Sequence, residues 1–244
     1  NLLPLQSGVG SVANAVINGL VNSNFEDLTV YTEVIQDGMF DLIDAGKLRV
    51  ASGTALSPSP DCLKKFYANL AKYKEHLILR PQEIANNPEV ARRIGVIAMN
   101  TAIECDIYGN VNSSHICGTK LMNGIGGSCD FARSGFLSVF FTNSLAKKGA
   151  ISSVVKFCSH IDHSEHDVSV LVSERGVADL RGLSPKERAP LIIDKIANPI
   201  YQPELTDYFE RACKACGNSQ TPHILSEAFD MYERLAKTGT MQKK

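Results

Sequence analysis

The sequence predicts an α/β fold with an open sheet, flanking helices and a helical carboxyl-terminal tail. Three observations carry that prediction. Short β-branched and aromatic runs bounded by turn residues occupy the first two thirds of the chain, Leu28–Tyr31 being one of them. Helical periodicity separates several of these runs. In the last third, three proline-started amphipathic segments follow one another with no strand between them.

In chain order, Gly8 to Val21 reads as a helix with Val12, Ala13, Val16, Ile17 and Leu20 on one face. A strand from Leu28 ends near Glu33, and Asp37-Gly38 has turn chemistry. A short helix over Met39–Ala45 and a strand over Leu48–Ala51 come next. Asp61–Tyr73 is amphipathic, with Leu63, Phe66, Tyr67 and Leu70 at helical spacing. Leu77–Leu79 is a strand, and Arg80-Pro81 breaks the pattern. From Gly95 to Ile116 the content favours strands, with Tyr108-Gly109-Asn110 as a turn. Asn123 to Gly127 is a glycine loop, and a brief helix covers Asp130–Ser134. Phe136–Thr142, Val154–Phe157 and Val168–Val172 read as strands. Ser184-Pro185-Lys186-Glu187 is a helix start, and helices are predicted over Pro185–Ala197, Pro203–Cys216 and Pro222–Ala236. The expected division is a catalytic α/β domain over 1–183 with a helical extension over 184–244 packed on it.

At 244 residues and 44% hydrophobic, the chain holds enough apolar side chains for one large α/β domain or two small ones. A net charge of -1 gives no electrostatic reason for a nucleic-acid or membrane-surface partner. No apolar run reaches membrane-spanning length, and the amino end lacks a basic stretch followed by an apolar one. The first residue is Asn1 rather than Met, which reads as a mature product or a fragment. Seven scattered cysteines fit reduced, buried thiols of an intracellular compartment better than a disulfide framework. Cys213-Lys214-Ala215-Cys216 lies in a helical pattern with no second pair for zinc and no preceding strand, and so reads as coincidence.

Glu33 lies at the carboxyl end of a strand, where open α/β sheets place ligands. There a carboxylate can bind a ribose, act as acid or base, or attack as a nucleophile. Gly8-Val9-Gly10-Ser11-Val12-Ala13 fits the G-x-G-x-x-A dinucleotide fingerprint, and Glu33 is spaced to bind a ribose hydroxyl. Two features oppose an NAD-binding oxidoreductase: Pro4 where a central parallel strand should run, and a middle rich in strands with an all-helical end. A glycine-started helix with no ligand is the bland alternative. Asn123-Gly124-Ile125-Gly126-Gly127-Ser128 suits a loop whose bare amides approach an oxyanion or phosphate; an ordinary tight turn is the alternative. His160, His163 and His166 stand in a loop, where their spacing does not converge them on a metal, and no metal site is expected. Lys147-Lys148 is either a solvated pair or a phosphate contact.

Several ordered blocks resemble the acetyl-CoA hydrolase/transferase family of class I CoA-transferases. They are Ser7-Gly8-Val9-Gly10, Tyr31-Thr32-Glu33-Val34-Ile35-Gln36-Asp37, Ala85-Asn86-Asn87-Pro88-Glu89 and Val96-Ile97-Ala98-Met99-Asn100-Thr101. The likeness continues through Asn123 to Ser128, through Ser159 to Asp167, and through Val177 to Arg188. The chain resembles the carboxyl-terminal half of such enzymes and implies their CoA-transferase-type sheet. The implied activity is exchange of CoA between an acyl-CoA (acetyl- or succinyl-CoA) and a free carboxylate (acetate or succinate), with net acetyl-CoA hydrolysis or an inactive CoA-binding fragment as alternatives.

By that resemblance Glu33 is the nucleophile, forming an anhydride and then a glutamyl-CoA thioester. The amides of Val9 and Gly127 form one oxyanion hole, and Asn86 contributes to a second. Glu174 shapes the carboxylate pocket. Gly8, Val9, Gly10, Gly126, Gly127 and Lys147 bind CoA. Coenzyme A enters as substrate, with no metal. The implied partners are small carboxylates and the amino-terminal half of the enzyme, and a homodimer is expected. The implied setting is acetate metabolism, in the mitochondrion, a related organelle or the cytoplasm.

Overall fold

The computed structural model describes residues 2–8 and 10–243, the side chain of Ser11 excepted. The chain divides into two compact units: 1–101 with 127–139, and 102–126 with 140–244.

In the first unit, strands β1 (Leu5–Ser7), β2 (Leu28–Tyr31), β3 (Leu48–Gly53), β4 (Leu77–Leu79), β5 (Ile97–Thr101) and the first three residues of β6 (Leu137–Phe141) lie in the order β6-β5-β1-β2-β3-β4. β1 pairs in parallel with both β2 and β5, and β3 in parallel with β2 and β4. The chain moves outward from β1 through β4, then returns to the other side of β1 as β5. The order therefore reverses beside β1, and the carboxyl ends there are the ligand-binding edge of an open α/β sheet.

The objection raised by Pro4 does not hold. Pro4 sits just ahead of β1, where a missing N–H costs nothing, and its carbonyl accepts from the Ile97 amide at 2.8 Å. The glycine motif thus does follow a central parallel strand, and it opens helix α1 (Ser11–Val21). Ala13 and Ile17 are the deepest members of the apolar face read for α1. Helix α2 (Asp37–Asp44) lies against α1 because Gly38 has no side chain; a Cβ there would come within 2.8 Å of Ile17 Cγ2.

The amphipathic segment 61–73 forms helix α3 (Pro60–Ala68) and a separate turn of helix, Leu70–Tyr73. Of the apolar face assigned to it only Phe66 is buried, in edge contact with Phe40, whereas Leu63, Tyr67 and Leu70 are exposed. Two helices were not legible as elements: α4 (Gln82–Ala85) and α5 (Pro88–Ile94). The start of α5 carried a usable signal. Asn87 precedes Pro88, and its side chain accepts from the Glu89 and Val90 amides, as an N-cap does. The last helix of this unit, α6, runs Ser128–Ser134, two residues ahead of the predicted start.

The second unit contains the predicted turn, where the buried Asp106 carboxylate accepts from the amides of Tyr108 and Asn110 and from the Asn110 side chain. Its hairpin pairs Val170–Ser173 with Gly176–Asp179. Its helices are Pro185–Lys195, Gln202–Cys216 and Asp230–Thr238. The predicted helix start at Ser184 is present and is a capping box, the Ser184 amide donating to Glu187 Oε2 at 2.8 Å. The third helix starts later than Pro222, because 222–229 is irregular apart from one 3₁₀ turn at Leu225–Glu227. Lys156 ties these helices together from a fully buried position, with Nζ 3.0 Å from Glu204 and 2.6 Å from Asp230. A buried cation needs such partners, so this is a fixed structural group.

No disulfide is formed among the seven thiols. Cys105 and Cys158 are buried as expected, but Cys117 and Cys129 are exposed. Among the described residues no helix is long and apolar enough to cross a membrane, and no three His, Cys, Asp or Glu side chains could hold a metal ion.

Candidate active site

Glu33 stands in a bend two residues beyond the end of β2, half-buried. Its backbone is anchored from the neighbouring strand: Thr54 donates to the Glu33 carbonyl at 2.8 Å and Ala55 at 3.3 Å. One residue earlier, Thr32 Oγ1 donates to the Ser7 carbonyl at 3.1 Å, joining this bend to the end of β1. The side chain is thereby carried out past the carboxyl edge of the sheet.

The Gly127 amide meets it there, donating to Glu33 Oε2 at 2.7 Å. Gly127 immediately precedes α6, and α6 is fixed by packing. Phe131 lies edge-on to Tyr31, ring centroids 6.2 Å apart, in a buried cluster with Ala91, Val96 and Ala98. Tyr31 belongs to β2, so the core that seats α6 also aims the Gly127 amide at the acid. A side chain at 127 would close the site: its Cβ would fall 2.3 Å from Asn86 Nδ2 and 2.7 Å from Glu33 Oε2. The same numbers show that the Glu33 carboxylate and the Asn86 amide converge beside Gly127.

Asn86 occupies the joint between α4 and α5. Its amide N–H closes α4 by donating to the Gln82 carbonyl at 2.8 Å, and Tyr31 hydroxyl holds the Ile84 carbonyl nearby. Asn86 is 7% exposed, and among the described residues neither Nδ2 nor Oδ1 has a hydrogen-bond partner. A buried amide left in that state costs roughly 1–3 kcal/mol, which a binding partner for the amide would recover. Asp130, in the first turn of α6, completes the surroundings. Burial first, and then the charge of Glu33, push its carboxyl above the usual range.

Gly8 and Gly10 follow the end of β1. Gly8 donates to the Met99 carbonyl at 2.8 Å, and a Cβ on it would touch Asn100 Oδ1 at 3.0 Å. Gly10 has φ 121 and ψ 175, a backbone state essentially reserved for glycine. Val9, assigned an oxyanion amide and a CoA contact by resemblance, lies outside the described residues.

The remaining expected site residues belong to the second unit. Gly126 has φ 58 and is exposed. Lys147 opens a 3₁₀ turn with φ 47, and Lys148 has φ 54, so two lysines in succession hold the left-handed state. That costs on the order of 1 kcal/mol each. Glu174 sits in the hairpin turn, where Ser144 donates to it through its amide at 2.9 Å and through its hydroxyl. Burial opposes the charge, but these hydrogen bonds outweigh it and hold the carboxyl below its usual range. His160 stacks on His115 and His163 on Phe140. Gln36, which no sequence signal singled out, grips the glycine bend: its Nε2 donates to the Gly8 carbonyl at 2.8 Å and its Oε1 accepts from the Gly10 amide at 3.3 Å.

A family profile described as Acetyl-CoA hydrolase/transferase C-terminal domain matches residues 63–209. The chain belongs to the acetyl-CoA hydrolase/transferase family. Over 242 residues it is 59% identical to the succinyl-CoA:acetate CoA-transferase of Clostridium kluyveri, spanning 99% of this chain and 45% of that protein. Over 250 residues it is 49% identical to the acetyl-CoA hydrolase of Neurospora crassa, spanning 100% of this chain and 48% of that protein. Among solved structures, RipA from Yersinia pestis superposes with a TM-score of 0.75 at 28% identity, covering 88% of this chain and 49% of RipA. The chain therefore spans about half the length of the curated relatives it matches.

Proposed function

We propose that this chain carries the covalent centre of a CoA-transferase that exchanges CoA between acetyl- or succinyl-CoA and a free carboxylate, with Glu33 as the nucleophile. The single observation that carries the reading is the 2.7 Å bond from the Gly127 amide to Glu33 Oε2, beside a buried Asn86 amide that no described residue hydrogen-bonds.

Glu33 attacks the thioester carbonyl, expels CoA thiolate and becomes a mixed anhydride. The thiolate then attacks the glutamyl carbonyl, releasing the first carboxylate and leaving a glutamyl-CoA thioester. An acceptor carboxylate reverses these two steps and takes the CoA. Such covalent relay implies ping-pong kinetics.

Negative charge develops twice, on two different oxygens. When the glutamyl carbon is attacked, the charge falls on a Glu33 oxygen, where the Gly127 amide already points. When the substrate carbonyl is attacked, the charge falls on the acyl oxygen, and the idle Asn86 amide supplies that donor. Val9 is proposed as the second donor for the glutamyl oxygen. The glycines of the 8–10 bend and Gly126 admit the pantetheine thiol, Lys147 contacts CoA, and Glu174 shapes the carboxylate end. Residues 1–183 carry this chemistry and 184–244 support it. An amino-terminal half supplies the remaining walls, and the assembly is a homodimer of the mitochondrion or cytoplasm.

Asn86→Ala should lower turnover about 10²–10³-fold while leaving CoA affinity within a few-fold, because it removes one oxyanion donor. Its thermal midpoint should hold or rise, since an unpaired buried amide is lost; steady-state kinetics and a melting curve measure both. Equal losses in turnover and affinity would mean that Asn86 merely binds.

The test of the proposal is chemical. Borohydride added after acyl-CoA should reduce a glutamyl thioester to the alcohol on the peptide containing Glu33, read by mass spectrometry. An unmodified peptide under turnover conditions would refute the nucleophile. Hydrolysis is the second reading, favoured by the hydrolase name of the Neurospora relative. It is separated by whether acetyl-CoA consumption requires added succinate.

The oxyanion assignments also bear on the dinucleotide alternative. In that reading the Gly10 amide would face a pyrophosphate and Glu33 a ribose. Here the Gly10 amide that a pyrophosphate would need donates instead to Gln36 Oε1.

A further inference from the structure

We propose that Gln36 is a positioning residue for acyl transfer, holding the Gly8–Gly10 bend in register with Glu33. The inference rests on the reading of Glu33 as the nucleophile.

Gln36 is 4% exposed, and both ends of its amide are spent on one target. Nε2 donates to the Gly8 carbonyl at 2.8 Å while Oε1 accepts from the Gly10 amide at 3.3 Å. A carbonyl held in place fixes the plane of its whole peptide unit, because the peptide bond is rigid. Gly8 and Gly10 are thus tied to the same side chain. Without it, two glycines would leave the segment poorly determined, since each samples far more backbone states than other residues.

The support beneath the bend is of the same kind. Gln6 and Asn100 exchange side-chain amide bonds of 3.1 and 3.2 Å, and Gln6 Oε1 also accepts from the Met99 amide at 3.1 Å. That pair fixes the strands below the bend, and among the described residues it is Gln36 that bonds both glycines. Its place in the chain gives the second half of the argument. Glu33 and Gln36 belong to one short segment, anchored at the Glu33 carbonyl by the amides of Thr54 and Ala55. The acid and the clamp thus move as one piece, and the bend is referenced directly to the nucleophile. Both of its bonds go to the glycines of one functional segment.

The test uses two variants in the native assembled protein. Gln36→Leu keeps the bulk and removes both bonds. Its kcat is expected to fall about 10–100-fold with KM for acyl-CoA within about threefold, the signature of lost geometry. Gln36→Glu keeps the acceptor for Gly10 but, when ionised, sets a carboxylate against the Gly8 carbonyl. Protonated, it can donate again. Its rate relative to wild type should therefore recover as pH is lowered from about 8 to about 6, a buried carboxyl titrating high. Amide exchange at Gly10 should quicken in Gln36→Leu and stay slow in Gln36→Glu.

Wild-type kcat in Gln36→Leu would overturn the inference. So would a Gln36→Glu to wild-type ratio that is flat with pH. Borohydride trapping of the wild type is run alongside. Absence of a Glu33 adduct there defeats the nucleophile reading, whereas an adduct that forms equally fast in Gln36→Leu defeats the role of Gln36 alone.

Discussion

Glu33→Gln is expected to lower acyl transfer by at least about a thousandfold, the scale on which removing a covalent nucleophile acts. The change is nearly isosteric, and a carboxamide oxygen can still accept from the Gly127 amide that now bonds Oε2. The bend keeps its anchors, because Thr54 and Ala55 hold the backbone carbonyl and not the side chain. Folding should therefore survive, with a melting midpoint within a few degrees of wild type, about 1 kcal/mol in a protein of this size. What disappears is the nucleophile: an amide does not attack a thioester at neutral pH. Single-turnover mixing with acetyl-CoA reads the loss, and the borohydride adduct should vanish with it. Activity retained above a few per cent would move the chemistry to another residue and leave Glu33 as a binding group.

Gly127→Ala is expected to cost about a hundredfold in turnover through geometry alone. The backbone at 127, φ -83 and ψ 7, suits alanine, so strain in the main chain is not the reason. The reason is crowding. The new methyl would lie 2.3 Å from Asn86 Nδ2 and 2.7 Å from Glu33 Oε2, far inside van der Waals contact. Both groups must be pushed aside, and both are the ones the chemistry needs. A displacement near 1 Å in a preorganised site is enough for roughly 10²-fold. Overpacking should also destabilise by about 1–3 kcal/mol, seen as a lower melting midpoint. Wild-type turnover in this variant would mean that the close approach of the 127 backbone is not used in catalysis.

These two variants act on opposite sides of one hydrogen bond, and only the structure reveals that the bond exists. Glu33 and Gly127 are 94 residues apart in the chain. The sequence located each in a local setting: an acid just past a β-branched run, and a glycine before a short helical pattern. Both settings are present, as β2 with its bend and as the start of α6. Their meeting depends on Phe131 of α6 packing on Tyr31 of β2, and that contact has no signature in any short window.

The central strand shows the converse failure. Leu5–Ser7 is three residues long and follows a proline, so local propensity argued against it. Pairing on both sides with β2 and β5 overrides that propensity, and the glycine motif inherits its position from the result. Asn86 and Asn87 make a similar pair. They are identical in type and adjacent, yet Asn87 caps α5 while the Asn86 side-chain amide meets no hydrogen-bond partner among the described residues.

Determined by the sequence alone were the α/β class, the strands and helices with strong local periodicity, the proline-marked starts of the helices at Pro185 and Pro203, and the family to which the ordered motifs belong. These are properties of short windows, where backbone preference and apolar spacing act directly. Decided only by the tertiary structure were the parallel strand order, the distances and packing by which Glu33, Gly127 and Asn86 meet, and the grip of Gln36 on the glycine bend. Each of these depends on which distant segments pack together, and chain neighbours carry no record of that choice.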